Sequence, residues 1–123
     1  MKQHSQYDDT TLYTTKDGSH IRELMHPQVH GNSLQSLAEA TVAPGKETLL
    51  HKHILSEELY HITQGAGLMT LANESFIART GDTICIPPGT AHKIKNTGTL
   101  PLKILCCCAP AYAHADTLLI EQT

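Results

Sequence analysis

The sequence predicts an all-β protein, a barrel or sandwich built from short strands. Short runs of Ile, Val, Leu, Thr and Tyr recur along the chain, bounded by turn residues such as Lys16-Asp17-Gly18-Ser19, Ala43-Pro44-Gly45 and Asn96-Thr97-Gly98-Thr99. Inside many of these runs the apolar residues fall at every second position, the period of a strand with one buried face. The frequency of glycine and proline, 8 and 6 in 123 residues, argues against a helical protein.

Taken in order, residues 1 to about 11 show no periodicity and read as an arm. Thr11–Thr15 is a short strand, and Lys16–Ser19 a tight turn. HIREL follows, with Ile21 and Glu23 on one face and Arg22 and Leu24 on the other. Pro27, Gly31 and Asn32 make 26–32 a loop, whose His26 and His30 are expected in solvent rather than at a pocket mouth. In Ser33–Val42, Ala38, Ala40 and Val42 share what is taken as the inner face, and the small alanines leave space there. Gly65-Ala66-Gly67 is expected as a hairpin-like break, LMTLA as a strand, Asn73-Glu74-Ser75 as a turn and FIART as the strand leading to Gly81. In DTICIP, Ile84 and Ile86 face opposite to Thr83 and Cys85.

Beyond Pro87-Pro88-Gly89, His92, Ile94 and Asn96 share a face, and Lys93 and Lys95 the other. LPLKILCCC closes the fold, with Leu102, Ile104, Cys106 and Cys108 alternating with Lys103, Leu105 and Cys107. Adjacent cysteines on a strand face opposite ways, so the run is expected to fill space rather than hold a metal. The tail after Cys108 either closes over a barrel mouth through Tyr112, His114 and Asp116 or decorates the surface. Surface decoration is the default expectation.

The chemistry concentrates in two stretches. Between Gly45 and Gly65 lie His51 and His53, which project together from a strand, followed by Glu57 and Glu58. Between Gly81 and Asn96 lies His92 behind the proline-glycine turn. Imidazoles with a carboxylate are the donor set of a transition-metal site. Glu57 and Glu58 cannot both face inward, and the apolar pattern does not choose between them: Tyr60 and Ile62 share the parity of Glu58, Leu59 and His61 that of Glu57. The distance to Gly65 favours Glu58. His61 then falls on the outer face.

The spacings Gly45-x5-His51-x-His53-x4-Glu58-x6-Gly65 and Gly81-x5-Pro87-x-Gly89-x2-His92-x3-Asn96 reproduce both cupin motifs without a gap. The chain therefore closely resembles a small single-domain cupin, over roughly positions 40 to 108. The resemblance implies a double-stranded β-helix, or jelly-roll, barrel spanning 1–123, with one metal held by His51, His53, Glu58 and His92. It also implies a homodimer, because N-terminal strands such as those in 1–24 often extend a sheet or cross to a second subunit in such proteins.

A formal net charge of −3 with 9 Lys and Arg argues against a nucleic-acid partner. No apolar run approaches the ~20 residues of a membrane span. The polar N-terminal residues lack the apolar run of a secretory signal, so a cytoplasmic protein is expected, with its four cysteines reduced. Three imidazoles and a carboxylate suit Fe, Mn, Ni, Co, Cu or Zn in the divalent state, and the residues do not choose among them. The functional expectation is a metal-dependent oxygenase, isomerase or lyase on a small oxygen-rich metabolite, with Tyr60 or Glu57 as proton-handling neighbours. The alternative is a non-catalytic module that binds a small acid or sugar through its metal.

Overall fold

The structure, a computed structural model, describes residues 3–121. Its strands are β1 (Leu12–Thr14), β2 (His20–Met25), β3 (Ser36–Val42), β4 (His51–His53), β5 (Glu57–Gln64), β6 (Ala66–Leu71), β7 (Glu74–Arg79), β8 (Thr83–Ile86), β9 (His92–Asn96), β10 (Leu102–Ala109) and β11 (Thr117–Leu119). They form two antiparallel sheets, ordered β1-β2-β3-β10-β5-β8 and β11-β4-β9-β6-β7, in a jelly-roll barrel.

Strand register sorts the barrel interior into an apolar end and a polar end. In the six-stranded sheet Ile21, Ala40, Ile104 and Ile62 lie side by side as one inward row. Ile62, Ile104, Leu102, Met69, Ile94 and Ile86 are fully buried. Each such side chain contributes about 1.5–3 kcal/mol by leaving water. The next row is Glu23, Ala38, Cys106, Tyr60 and Ile84, and the last is Ser36, Cys108, Glu58 and Ile86. Small side chains at 36, 38, 106 and 108 leave the space that the alanines predict. Polar residues occupy the same end.

Three expectations need correction. Gly65 (φ +85°) ends β5, but β6 belongs to the other sheet, so the glycine turns a corner between sheets rather than closing a hairpin. A Cβ on Gly67 would meet the Lys95 carbonyl at 2.7 Å, which the β6–β9 pairing does not allow. The true hairpin joins β6 to β7 through Ala72 and Asn73, and Glu74 and Ser75 belong to β7 instead of the turn. The N-terminal strands find their partner within the chain, since β2 pairs with β3, and they therefore give no reason for a second subunit.

The tail is the largest departure. It docks, because Thr117–Leu119 adds β11 to the edge of β4 and buries Thr117. Asp116 accepts from the backbone N–H groups of Leu55 and Ser56 at 2.8 and 3.1 Å, filling the sharp turn between β4 and β5. Lys16 Nζ donates to the carbonyls of His114 and Thr117, which clasps the first turn of the chain to the tail. His114 and its neighbours, with Leu118 and Leu119, remain at the surface.

Candidate metal centre

His51 and His53 are the two ends of the three-residue β4, with Lys52 outward between them. His92 opens β9 directly opposite His51 in the β4–β9 pairing. The turn that delivers it is fixed by Gly89 (φ +76°), whose N–H donates to the His53 carbonyl at 2.7 Å. Glu58 enters from β5 in the facing sheet. Nitrogen atoms of His51, His53 and His92 all lie within 4.8 Å of one another. Glu58 Oε1 sits 3.2 Å from His53 Nε2 and 3.4 Å from His92 Nε2. All four side chains are buried.

The hydrogen bonds settle which ring nitrogens are free. His51 Nδ1 lies 2.8 Å from the Leu49 carbonyl and His92 Nδ1 2.9 Å from the Thr90 carbonyl. A carbonyl only accepts, so both Nδ1 atoms carry the proton. Thr117 Oγ1 donates to the Ala113 carbonyl and is thereby left to accept from His53 Nδ1, 3.0 Å away. Each Nε2 is then the ring nitrogen turned to the common centre; in the metal-free protein His53 Nε2 donates to Glu58 Oε1 and gives up that proton to bind a metal. His92 Nε2 is buried with no hydrogen-bond partner, because Glu58 Oε1 is near it but off the bonding direction. Three converging imidazole lone pairs and a facing carboxylate fit a divalent transition metal.

Electrostatics in the metal-free protein follow the same geometry. Burial opposes charge on Glu58, but the hydrogen bond and charge of His53, with His92 close beside it, outweigh it and hold the carboxyl at about 2. Burial also lowers His53, yet the Glu58 hydrogen bond and charge win and raise its pKa. His51 is lowered, first by burial and then by His92. Buried as a phenol, Tyr60 is pushed well up by desolvation and by the Glu58 charge, so it remains a proton donor.

His51, His53, Glu58 and Tyr60 line an inner chamber of about 40 Å³. It shares Tyr13, Glu23 and Tyr112 with a vestibule of about 460 Å³ that opens outward between the N-terminal strands and the tail. Of the catalytic candidates, Tyr60 lines the chamber with its ring 5.9 Å from that of His92. Glu57 does not. Strand alternation turns it outward, where it is exposed, so it is no proton-handling neighbour. His61 is likewise exposed on the outer face. His26 departs from the solvated-loop expectation: it lines the vestibule and its Nε2 lies 2.7 Å from the Tyr112 carbonyl.

Sequence reasoning missed Asp17 and Thr117, preferred surface decoration to a barrel-mouth position for Tyr112, and passed over Glu23 although it shares the inward face of Ile21. Cys108 was read as space filling alone, yet its thiol donates to Glu58 Oε2 at 3.3 Å.

The Cupin domain family model matches residues 38–108, more than half of the chain. The chain belongs to the cupin family. This cupin is 58% identical to an uncharacterised protein of Methanocaldococcus jannaschii over 117 residues, covering 95% of the chain and 94% of that protein. Among solved structures it resembles Streptomyces Pac13, described as a unique nucleoside dehydratase, with a TM-score of 0.78 at 17% identity, covering 98% of this cupin and 92% of that chain. A Thermotoga maritima protein described as a predicted oxalate decarboxylase gives a TM-score of 0.74 at 22% identity, covering 85% and 96%. Both likenesses concern the barrel fold. Among the described residues no helix is long and apolar enough to cross a membrane.

Proposed function

We propose that this cupin is a metal-dependent enzyme acting on a small, oxygen-rich substrate, with one divalent transition metal held by His51, His53, Glu58 and His92. The observation that carries the reading is the convergence of three imidazole Nε2 atoms, each turned inward by a partner on its own Nδ1. When bound there, such a metal supplies Lewis-acid polarisation of a substrate oxygen. Around it the chain does the rest. Glu58 offsets the cation's charge in a buried site, where an uncompensated ion would be costly. Tyr60 presents a phenol that stays protonated and can donate to a substrate oxygen. Tyr112 narrows the passage from the vestibule and limits bulk water. A nucleoside dehydratase and a predicted oxalate decarboxylase share this barrel fold, which favours a catalytic reading. The four free thiols favour a reducing, cytoplasmic setting.

Elemental analysis of the purified protein, followed by turnover and oxygen-uptake assays against hydroxy acids, diketones and sugar phosphates, tests the proposal. About one transition metal per chain is expected, with turnover that disappears in the metal-free protein. Stoichiometric ligand binding without turnover across the panel would instead make this cupin a binding module.

A further inference from the structure

The matched family region begins at residue 38, yet part of the inner chamber is walled by the N-terminal hairpin that precedes it. That hairpin contributes two carboxyl groups, Asp17 and Glu23, both buried. Each has one oxygen engaged and one left open. Asp17 Oδ1 accepts from Thr15 Oγ1 at 2.5 Å, Ser19 N at 2.9 Å and Ser19 Oγ at 2.7 Å. Asp17 Oδ2 makes no hydrogen bond among the described residues and lies 3.4 Å from His51 Nε2, at the edge of the histidine cluster. Glu23, only 7% exposed, accepts from the Tyr13 hydroxyl on Oε2 at 2.8 Å. Its Oε1 is buried with no partner, as is the Tyr112 hydroxyl at the neck of the chamber.

The chamber therefore presents three carboxyl groups, Asp17, Glu23 and Glu58, and no lysine or arginine. Open carboxylate oxygens require O–H or N–H donors, and the histidine cluster supplies none to Glu23. A second anionic group on a ligand would meet acceptors on every side without a cation to pair with, apart from the metal itself.

We propose that Asp17 Oδ2 and Glu23 Oε1 form an acceptor pair that recognises the hydroxyl groups of the substrate at the metal. They select a polyol, sugar or hydroxy acid and reject a dicarboxylate. The assignment rests on the metal-centre reading and deepens it by naming the substrate class. It places specificity in the N-terminal hairpin rather than in the motif residues, so the same metal site would serve different substrates in relatives that differ at 17 and 23.

Glycolate and oxalate are a matched pair of probes, since one hydroxymethyl group in the first is a carboxylate in the second. Both are titrated calorimetrically into full-length protein loaded with Co(II), with cobalt content measured before and after. Glu23→Gln and Asp17→Asn keep the shape and the engaged hydrogen bonds while removing the charge of the open acceptor. Each variant should bind glycolate more weakly and oxalate more tightly than wild type, by about tenfold in each direction, the worth of one hydrogen bond to a charged group. A variant that weakens both probes alike shows a structural role and overturns the proposal. Unchanged affinities for both show that water satisfies the open oxygens, and overturn it too. Failure of wild type to hold cobalt overturns the metal-centre reading, and this assignment with it. Cobalt retained without the opposite shifts overturns this assignment alone.

Discussion

Thr117 Oγ1 lies 3.0 Å from His53 Nδ1, joining the C-terminal strand to the candidate metal centre across 64 positions of sequence. The hydroxyl donates its own O–H to the Ala113 carbonyl, so it accepts from the imidazole and fixes the ring with Nε2 toward the cluster. A partner of this kind orients a ligand and raises its basicity.

Thr117→Val should therefore weaken metal affinity about 10- to 100-fold while Thr117→Ser leaves it near wild type. Metal titration of both variants, with circular dichroism to confirm folding, checks this. Equal losses in the two would mean that Thr117 matters only through packing.

Metal uptake should depend on pH in a defined direction. In the metal-free protein His53 has a pKa raised above its ordinary 6.5, and its proton must leave before Nε2 can bind a metal. Affinity should fall about tenfold per pH unit as pH drops below that raised pKa, with about one proton released per metal. Glu58, held near about 2, adds no slope over this range. Stability of the metal-free protein should run the other way: the His53 contribution is full below 6.5 and lost as pH rises through its folded pKa. The Glu58 contribution persists until pH falls toward about 2. Metal affinities and thermal melts between about pH 5 and 8 measure both trends.

On the outer face of the six-stranded sheet, Leu37, Cys107, Leu59 and Cys85 lie side by side across β3, β10, β5 and β8. Leu37 and Leu59 are 37% and 41% exposed, which makes this row an apolar stripe suited to a second copy. A homodimer through this face is expected, and Leu59→Arg should give a monomer that still holds its metal. Light scattering at micromolar concentration checks both species. A monomeric wild type would contradict the interface.

The legible parts of this molecule are those set by local spacing. His51 and His53 are neighbours on one face because they are two residues apart, and Ile94 and Asn96 follow His92 inward by the same rule. Glu58 was harder, since apolar parity did not separate it from Glu57; motif spacing did. Asp17 and Thr117 were illegible for a physical reason, and nothing local chose between the barrel-mouth and surface readings of Tyr112 and Asp116. These residues sit on a turn and a tail whose positions depend on pairings far along the sequence, such as β11 with β4. Glu23 was readable in principle, as an acid on the face of Ile21. An acid on an inward face is the local exception that marks a site, and periodicity alone treats it as noise.

We propose that Glu58, and not Glu57, supplies the carboxylate of a metal centre with His51, His53 and His92. Glu58 is buried against two of the imidazoles, whereas Glu57 is exposed on the opposite face of β5. Metal titration of folded Glu58→Gln and Glu57→Gln tests it most directly. Glu58→Gln should lose metal affinity by well over about tenfold, because three neutral imidazoles would then face a dication in a dry site. Glu57→Gln should stay close to wild type. Loss of the metal in Glu57→Gln with affinity retained in Glu58→Gln would contradict the account.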